Sequence, residues 1–205
     1  MKHHLKVDPK IRSKHEELIA EPVVVRVKEF NEKAAEEFSV AMAKAHNTGQ
    51  PIIPVVIDSY GGQVYSLLAM IADIENAKLP VATIAVGKAM SCGSVLFSCG
   101  TEGHRYIDAN ATVMIHEVSS MEFGKIEEMK ARTKEADRLN TYIFHKMAKN
   151  CGHQDSDYFL KIVDSKKHAD WFLPAAEVKK HKLANHIKVP FFTTKITVDM
   201  TFGFG

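Results

Sequence analysis

Cysteine is scarce in this sequence. Cys92, Cys99 and Cys151 make an odd count with no CxxC spacing. That argues against a disulfide framework and against a thiolate zinc site, and it suits a reducing cytoplasm. Long apolar runs are missing too. No stretch of about 18 apolar residues occurs, so no segment reads as a membrane-spanning helix. The opening Met1-Lys2-His3-His4-Leu5 leads into charged residues rather than the apolar core of a secretory leader. Neither sign of charge dominates. Lys+Arg total 27 against Asp+Glu 25, a net charge of +2, which is too balanced to grip a phosphate backbone. Residues 1–21, with Lys2, Lys6, Lys10, Arg12 and Lys14, therefore read as a solvated tail rather than a nucleic-acid arm.

Several motifs are absent as well. There is no GxxxxGK[ST] and no GxGxxG, so a nucleotide site has weak support, and there is no HExxH to hold a metal. What is present is a chain of 205 residues, 45% hydrophobic and 25% charged. That composition can bury the core of one α/β domain.

From Pro22 the chain alternates apolar runs with helical patterns. Val23 to Val27 is a β-branched run and reads as a strand. Asn31 sits where an N-cap belongs, and Phe38, Met42 and Ala45 follow at helical spacing up to Gly49. Ile52 to Ile57 reads as a strand buried on both faces, although Pro54 inside it signals an edge or a bulge. Gly61-Gly62 opens a helix with Val64, Leu67, Leu68, Ile71 and Ile74 on one face. Val81 to Val86 is the next strand, Ser91 to Gly100 a small-residue helix, and Thr112 to Ile115 another strand. This β-α-β-α-β order implies right-handed crossovers and a mostly parallel sheet.

A highly charged helix of about 26 residues follows, from Lys125 to Asn150, roughly 39 Å long at 1.5 Å per residue. Its apolar stripe is Ile126, Met129, Ala136, Leu139, Ile143 and Met147, with Glu128 and Arg132 as an i,i+4 pair. It reads either as a surface helix packed on the core or as an arm that meets another subunit. A short helix starts at Pro174, with Leu183 and Ile187 after it.

Two strand-to-helix junctions carry the chemistry. At Asp58-Ser59-Tyr60-Gly61-Gly62, glycines let the backbone approach a ligand with its N–H groups outward, as an oxyanion hole requires; a plain tight turn is the simpler reading. At Gly87-Lys88-Ala89-Met90-Ser91-Cys92-Gly93-Ser94, a serine leaves the carboxyl edge of the sheet, where α/β folds bind ligands. Ala89 breaks the GxSxG elbow of α/β-hydrolases. Ser91 could equally be a helix cap, and Cys92 and Cys99 are rival nucleophiles that read as packed helix. A serine needs a base, and the base needs an orienting group. Among eleven histidines, His116 ends the Thr112–Ile115 strand at the same sheet edge as Ser91. On spacing alone the orienting acid could be Asp108, Asp164 or Asp170. Asp170 precedes Trp171-Phe172-Leu173, an anchor able to bury the acid beside the histidine.

Four segments in order resemble the ClpP family of serine peptidases. Val56-Ile57-Asp58-Ser59-Tyr60-Gly61-Gly62 is similar to its oxyanion loop, x-I-N-S-P-G-G, and Ala89-Met90-Ser91-Cys92-Gly93-Ser94 to its nucleophile segment, A-A-S-M-G-A. Arg105-Tyr106, Asn110 and Val113-Met114-Ile115-His116 resemble R-Y … N-s-x-x-M-I-H. Asp170-Trp171-Phe172-Leu173-Pro174-Ala175-Ala176-Glu177, with Leu183, resembles R-D-x-F-x-S-A-x-E-A-x-x-x-G-L. The resemblance covers residues 22–187 and implies an α/β spiral of βαβ units, as in the related crotonase fold, with a long handle helix at about 125–150.

By that resemblance Ser91 is the nucleophile, His116 the general base and Asp170 the orienting acid, and the backbone N–H groups of Gly62 and Cys92 form the oxyanion hole. It implies a serine endopeptidase with no metal and no cofactor of its own. Subunits would stack as heptameric rings, a double ring of tetradecamer type, degrading unfolded polypeptides delivered by an ATP-driven AAA+ unfoldase in the cytoplasm. Residues 1–21 would then be a tail or axial loop, and residues 188–205 form an extension with no counterpart.

The sequence also departs from the pattern. Tyr60 stands at the family's proline, Glu117-Val118 at Gln-Pro, Ser119 to Phe123 at a glycine-rich stretch, and Ala169 at the arginine of a ring-locking ion pair. The connection from Gly152 to Asp170 is about five residues longer. These changes suit a phage-borne or otherwise specialised member. They also motivate two rivals, a catalytically silent scaffold subunit on the same fold and a crotonase-type acyl-CoA enzyme.

Overall fold

The computed structural model describes residues 22–118 and 125–191. The expected tail at 1–21, the stretch Ser119 to Phe123 that stands at the family's glycine-rich segment, and positions 192–205 of the expected extension lie outside them. The elements are β1 (Val25–Val27), α1 (Glu32–His46), β2 (Ile53–Ser59), α2 (Val64–Glu75), β3 (Val81–Met90), α3 (Cys92–Ser98), β4 (Arg105–Ile107), β5 (Thr112–Ile115), α4 (Ile126–Asn150), α5 (Tyr158–Ser165), β6 (Trp171–Pro174), α6 (Ala175–Lys180) and β7 (His186–Ile187). Asn31 caps α1, its Oδ1 accepting the Ala34 N–H at 2.8 Å, and α1 buries Phe38, Met42 and Ala45 as its spacing requires.

The sheet is mostly parallel, as expected for this α/β chain. Its main path runs β1-β2-β3-β4-β7, all parallel. β5 joins β3 in parallel, and β6 joins β5 antiparallel.

Pro54 lies in β2, an interior strand, and neither at an edge nor at the bulge its presence suggested. The Ile53 N–H donates to Pro80 O on the β3 side at 2.9 Å. Backbone donors alternate sides along a strand, so the Pro54 nitrogen faces β1, where the register begins only at Val25 and Val55. The Val23 carbonyl accepts instead from Gln50 Nε2 at 3.2 Å. No ladder donor is lost.

β3 runs four residues beyond the expected Val86 by changing partners. Thr83–Ala85 pair β4, while Lys88–Met90 pair β5. Between these halves the register against β2 slips from Ile57↔Ala85 to Ser59↔Ala89, so Val86, Gly87 and Lys88 oppose Asp58 alone. This bulge re-aims the strand. Gly87 takes φ +68°, and a Cβ there would sit 3.1 Å from Asp58 Oδ1. Lys88 Nζ holds that same oxygen at 2.7 Å and lies 4.4 Å from the Tyr60 ring centre.

The apolar stripe of α4 divides along its length. Leu139, Ile143, Phe144, Met147 and Ala148 are buried, whereas Ile126 is 71% exposed and Met129 38%. α5 was not expected. It occupies the lengthened connection and buries Phe159 and Val163. An aromatic cluster secures it: His153 stacks on Tyr158 at 3.6 Å, the Tyr158 hydroxyl hydrogen-bonds His181 Nδ1 at 2.8 Å, and His181 meets Trp171 edge-on at 4.9 Å. Among the described residues no helix is long and apolar enough to cross a membrane.

Candidate active site

Strand register brings the predicted residues together. β3 and β5 run in parallel with Met90 opposite Met114, so Ser91 leaves β3 beside the end of β5. The Ser91 N–H donates to Met114 O at 2.9 Å. β5 and β6 run antiparallel with Ile115 opposite Trp171. One residue further along each strand stand His116 and Asp170.

Ser91 holds φ +53° and ψ −122°, a left-handed conformation that costs a non-glycine residue about 1–3 kcal/mol. Its side chain makes no cap hydrogen bond to α3, which disposes of the capping role the sequence left open. Its Oγ lies 2.8 Å from His116 Nε2. That is the pairing a serine nucleophile needs from a base.

His116 Nδ1 is 3.6 Å from Asp170 Oδ1, with the Asp170 side chain 53% exposed. The expectation that Trp171-Phe172-Leu173 buries this acid is overturned. Side chains alternate faces along a strand: Trp171 and Leu173 are buried, while Phe172 is exposed and Asp170 shares its face. The rival acids are engaged elsewhere. Asp108 Oδ1 accepts the Asn110 N–H at 2.9 Å, and Asp164 Oδ1 lies 3.8 Å from His168 Nδ1.

The glycine pair packs against this centre rather than opening α2, which starts at Val64 behind the N-cap Gln63. Gly61 has φ +107°, and a Cβ there would lie 2.6 Å from Ser91 Cβ. A Cβ at Gly62 (φ +150°) would lie 2.4 Å from Phe30 O, the carbonyl that accepts the Gln63 N–H at 2.8 Å. Neither position has room for a side chain. The Cys92 thiol donates to Gly62 O at 3.2 Å, which ties the start of α3 to the glycine loop.

A cavity of about 270 Å³ opens beside Ser91 and His116, with Leu67, Val95, Phe144 and Met147 in its apolar wall. Asn140, which the sequence did not single out, joins α4 to this wall by accepting the Val118 N–H at 2.6 Å. A second unforeseen contact is Glu117 Oε2 to His168 Nδ1, at 2.8 Å. The two residues are 51 positions apart and share no motif.

The cysteines fit poorly as rival nucleophiles. Burial pushes the Cys92 thiol up, and burial pushes both Cys99 and Cys151 up to about 12. A thiol nucleophile needs the opposite shift.

Comparison with known proteins points to one family. The family described as Clp protease matches residues 8–190. The ATP-dependent Clp protease proteolytic subunit of Deinococcus radiodurans is 33% identical over 138 residues, which is 66% of this chain and 64% of that protein. The ATP-dependent Clp protease proteolytic subunit 1 of Bifidobacterium longum is 29% identical over 136 residues, covering 66% and 56% of the two chains. Each match thus spans less than two thirds of the relative's length.

Proposed function

The chain belongs to the Clp protease family, and on that premise we propose that it is the serine endopeptidase subunit of a ring-shaped, self-compartmentalised protease. The observation that carries this reading is the 2.8 Å pairing of Ser91 Oγ with His116 Nε2 at the rim of a cavity with one apolar wall. Ser91 Oγ attacks the scissile carbonyl as its proton passes to His116 Nε2. The tetrahedral intermediate collapses, the C–N bond breaks, and His116 returns the proton to the leaving amine. Water, deprotonated by His116 in turn, then releases the acyl group from Ser91. Asp170 orients the imidazole and stabilises its charged form. The N–H groups of Gly62 and Cys92 receive the developing oxyanion, where losing one donor typically costs about 2.7–4 kcal/mol of barrier lowering.

In this reading the exposed first half of α4 is the handle through which heptameric rings meet as a double ring. Unfolded polypeptides are the substrates, delivered in the cytoplasm by a AAA+ unfoldase that hydrolyses the ATP. This subunit itself needs no cofactor. The names of the relatives, ATP-dependent and proteolytic, support that division of labour.

The test is fluorophosphonate labelling and short-peptide hydrolysis by the intact chain and by Ser91→Ala, together with the native mass. Labelling lost in Ser91→Ala, on a particle of ring mass, is the expected result. Equal labelling of both proteins would remove Ser91 from the mechanism, and a monomer would remove the chamber. A second reading, a catalytically silent scaffold subunit, draws on the 3.6 Å gap between His116 and Asp170 and on Ala169. Rings that neither label nor cleave would favour it.

A further inference from the structure

We propose that Glu117, Asp164 and His168 form a binding site for a divalent cation of the zinc class, beside the Ser91–His116 pair. Their ligand atoms lie within 4.8 Å of one another. His168 Nδ1 is 2.8 Å from Glu117 Oε2 and 3.8 Å from Asp164 Oδ1. One imidazole and two carboxylates are ordinary zinc donors at about 2.0–2.2 Å, and three protein ligands leave a position for water. Donors around one such centre stand about 3.4 Å apart by tetrahedral geometry, and the distances seen here straddle that value. The side chains of His168 and Asp164 are 60% and 62% exposed, free to close on an ion by rotamer adjustment. With nitrogen and oxygen donors and no thiolate, the set suits zinc or manganese rather than a soft cation such as Cu(I).

The ligands come from three places: the segment after β5, the last turn of α5, and the corner leading into β6. No local motif could announce them, since Glu117 is 47 positions from Asp164. A bound cation would substitute for the bridge that His168 now makes to Glu117. It would take up the charge of two neighbouring carboxylates that otherwise repel each other.

The location gives the site a consequence. Glu117 follows His116, and His168 precedes Asp170 by two positions. A cation between Glu117 and His168 would replace their 2.8 Å contact with donors about 3.4 Å apart, and so would shift the two strand ends across which His116 and Asp170 stand 3.6 Å apart. Binding stands independently of the peptidase reading, and only this positioning effect rests on it.

Zinc titration calorimetry on the full chain tests the proposal, in a His3→Ala/His4→Ala background that keeps the N-terminal histidine pair silent. Saturable uptake of one equivalent is expected, weakened at least about tenfold by His168→Ala and by Asp164→Asn. His145→Ala serves as the control, because His145 pairs with Asp157 at 2.6 Å and lies outside the trio. Cobalt absorption should show the visible bands of an N/O site in the parent and lose them in His168→Ala. Absence of saturable uptake in the micromolar range overturns the proposal, as does uptake undiminished in either ligand variant. Zinc bound to a chain that never cleaves peptides would count against the peptidase reading alone.

Discussion

His116 and Asp170 are neighbours because β5 and β6 run antiparallel with Ile115 opposite Trp171, which makes them the next pair across the ladder. Their 3.6 Å separation is an ion-pair distance rather than a hydrogen bond. Under the proposed mechanism, in which the two close up when substrate binds, Asp170→Asn should keep the fold and cut turnover by orders of magnitude, up to about 10⁴-fold. Asp108→Asn, in the turn before β5, should leave peptide hydrolysis close to the parent rate. Steady-state kinetics on a short fluorogenic peptide decide the matter. A large loss in Asp108→Asn with Asp170→Asn intact would move the orienting role away from β6.

Gly61 packs directly against Ser91. Its φ of +107° strains any L side chain, and the added Cβ would stand 2.6 Å from Ser91 Cβ. Gly61→Ala should displace Ser91 and abolish fluorophosphonate labelling, at a cost of about 1–3 kcal/mol in stability from the backbone alone. Gly152→Ala, also at positive φ but with nothing within 4 Å of its Cβ, should lose stability and keep labelling. Labelling retained in both variants would mean that the loop yields without disturbing the serine.

Much of this architecture was legible in the sequence where a single element carries its own signal. Asn31 caps α1, and Thr112 to Ile115 bound β5 as read. What escaped depends on partners remote in sequence. Pro54 signals an edge when read alone, yet its missing donor falls where β1 has not begun. Gly87-Lys88 reads as a strand end, although a bulge against Asp58 carries β3 on to Ser91. α5 is eight residues long, too short for its period to stand out inside a connection. Near the site, Ser91 and His116 stand out by their place at the sheet edge, and family resemblance assigns their roles and chooses Asp170 among three acids. The exposure of Asp170 follows from strand alternation that the Trp171-Phe172-Leu173 anchor masked.

The cysteine environments make a chemical prediction. With the thiols of Cys99 and Cys151 pushed up to about 12 by burial, the thiolate fraction at pH 8 is on the order of 10⁻⁴, against roughly a quarter for a free cysteine of pKa about 8.5. Thiol-specific reagents should leave the native chain almost unmodified and react with all three cysteines after denaturation. Inactivation by such a reagent at the same rate as by a fluorophosphonate would revive a cysteine nucleophile.

His181 supplies a pH dependence of stability. Burial, reinforced by the charge of Lys180, holds its imidazole below the usual histidine range, and its ring meets Trp171 edge-on while Nδ1 bonds the Tyr158 hydroxyl. In the unfolded chain the same group takes up a proton near pH 6.5. Below that pH the unfolded state binds a proton that the folded state still refuses, so stability is complete above about 6.5 and falls as the solution is acidified toward the lowered folded value. Urea midpoints should thus drop between pH 7.5 and 5.5. In His181→Gln the pH 7.5 midpoint should be lower, through the lost contact with Trp171, and the acid-induced drop smaller than in the parent. An unchanged drop in that variant would assign the acid sensitivity to other groups and leave His181 a packing residue only.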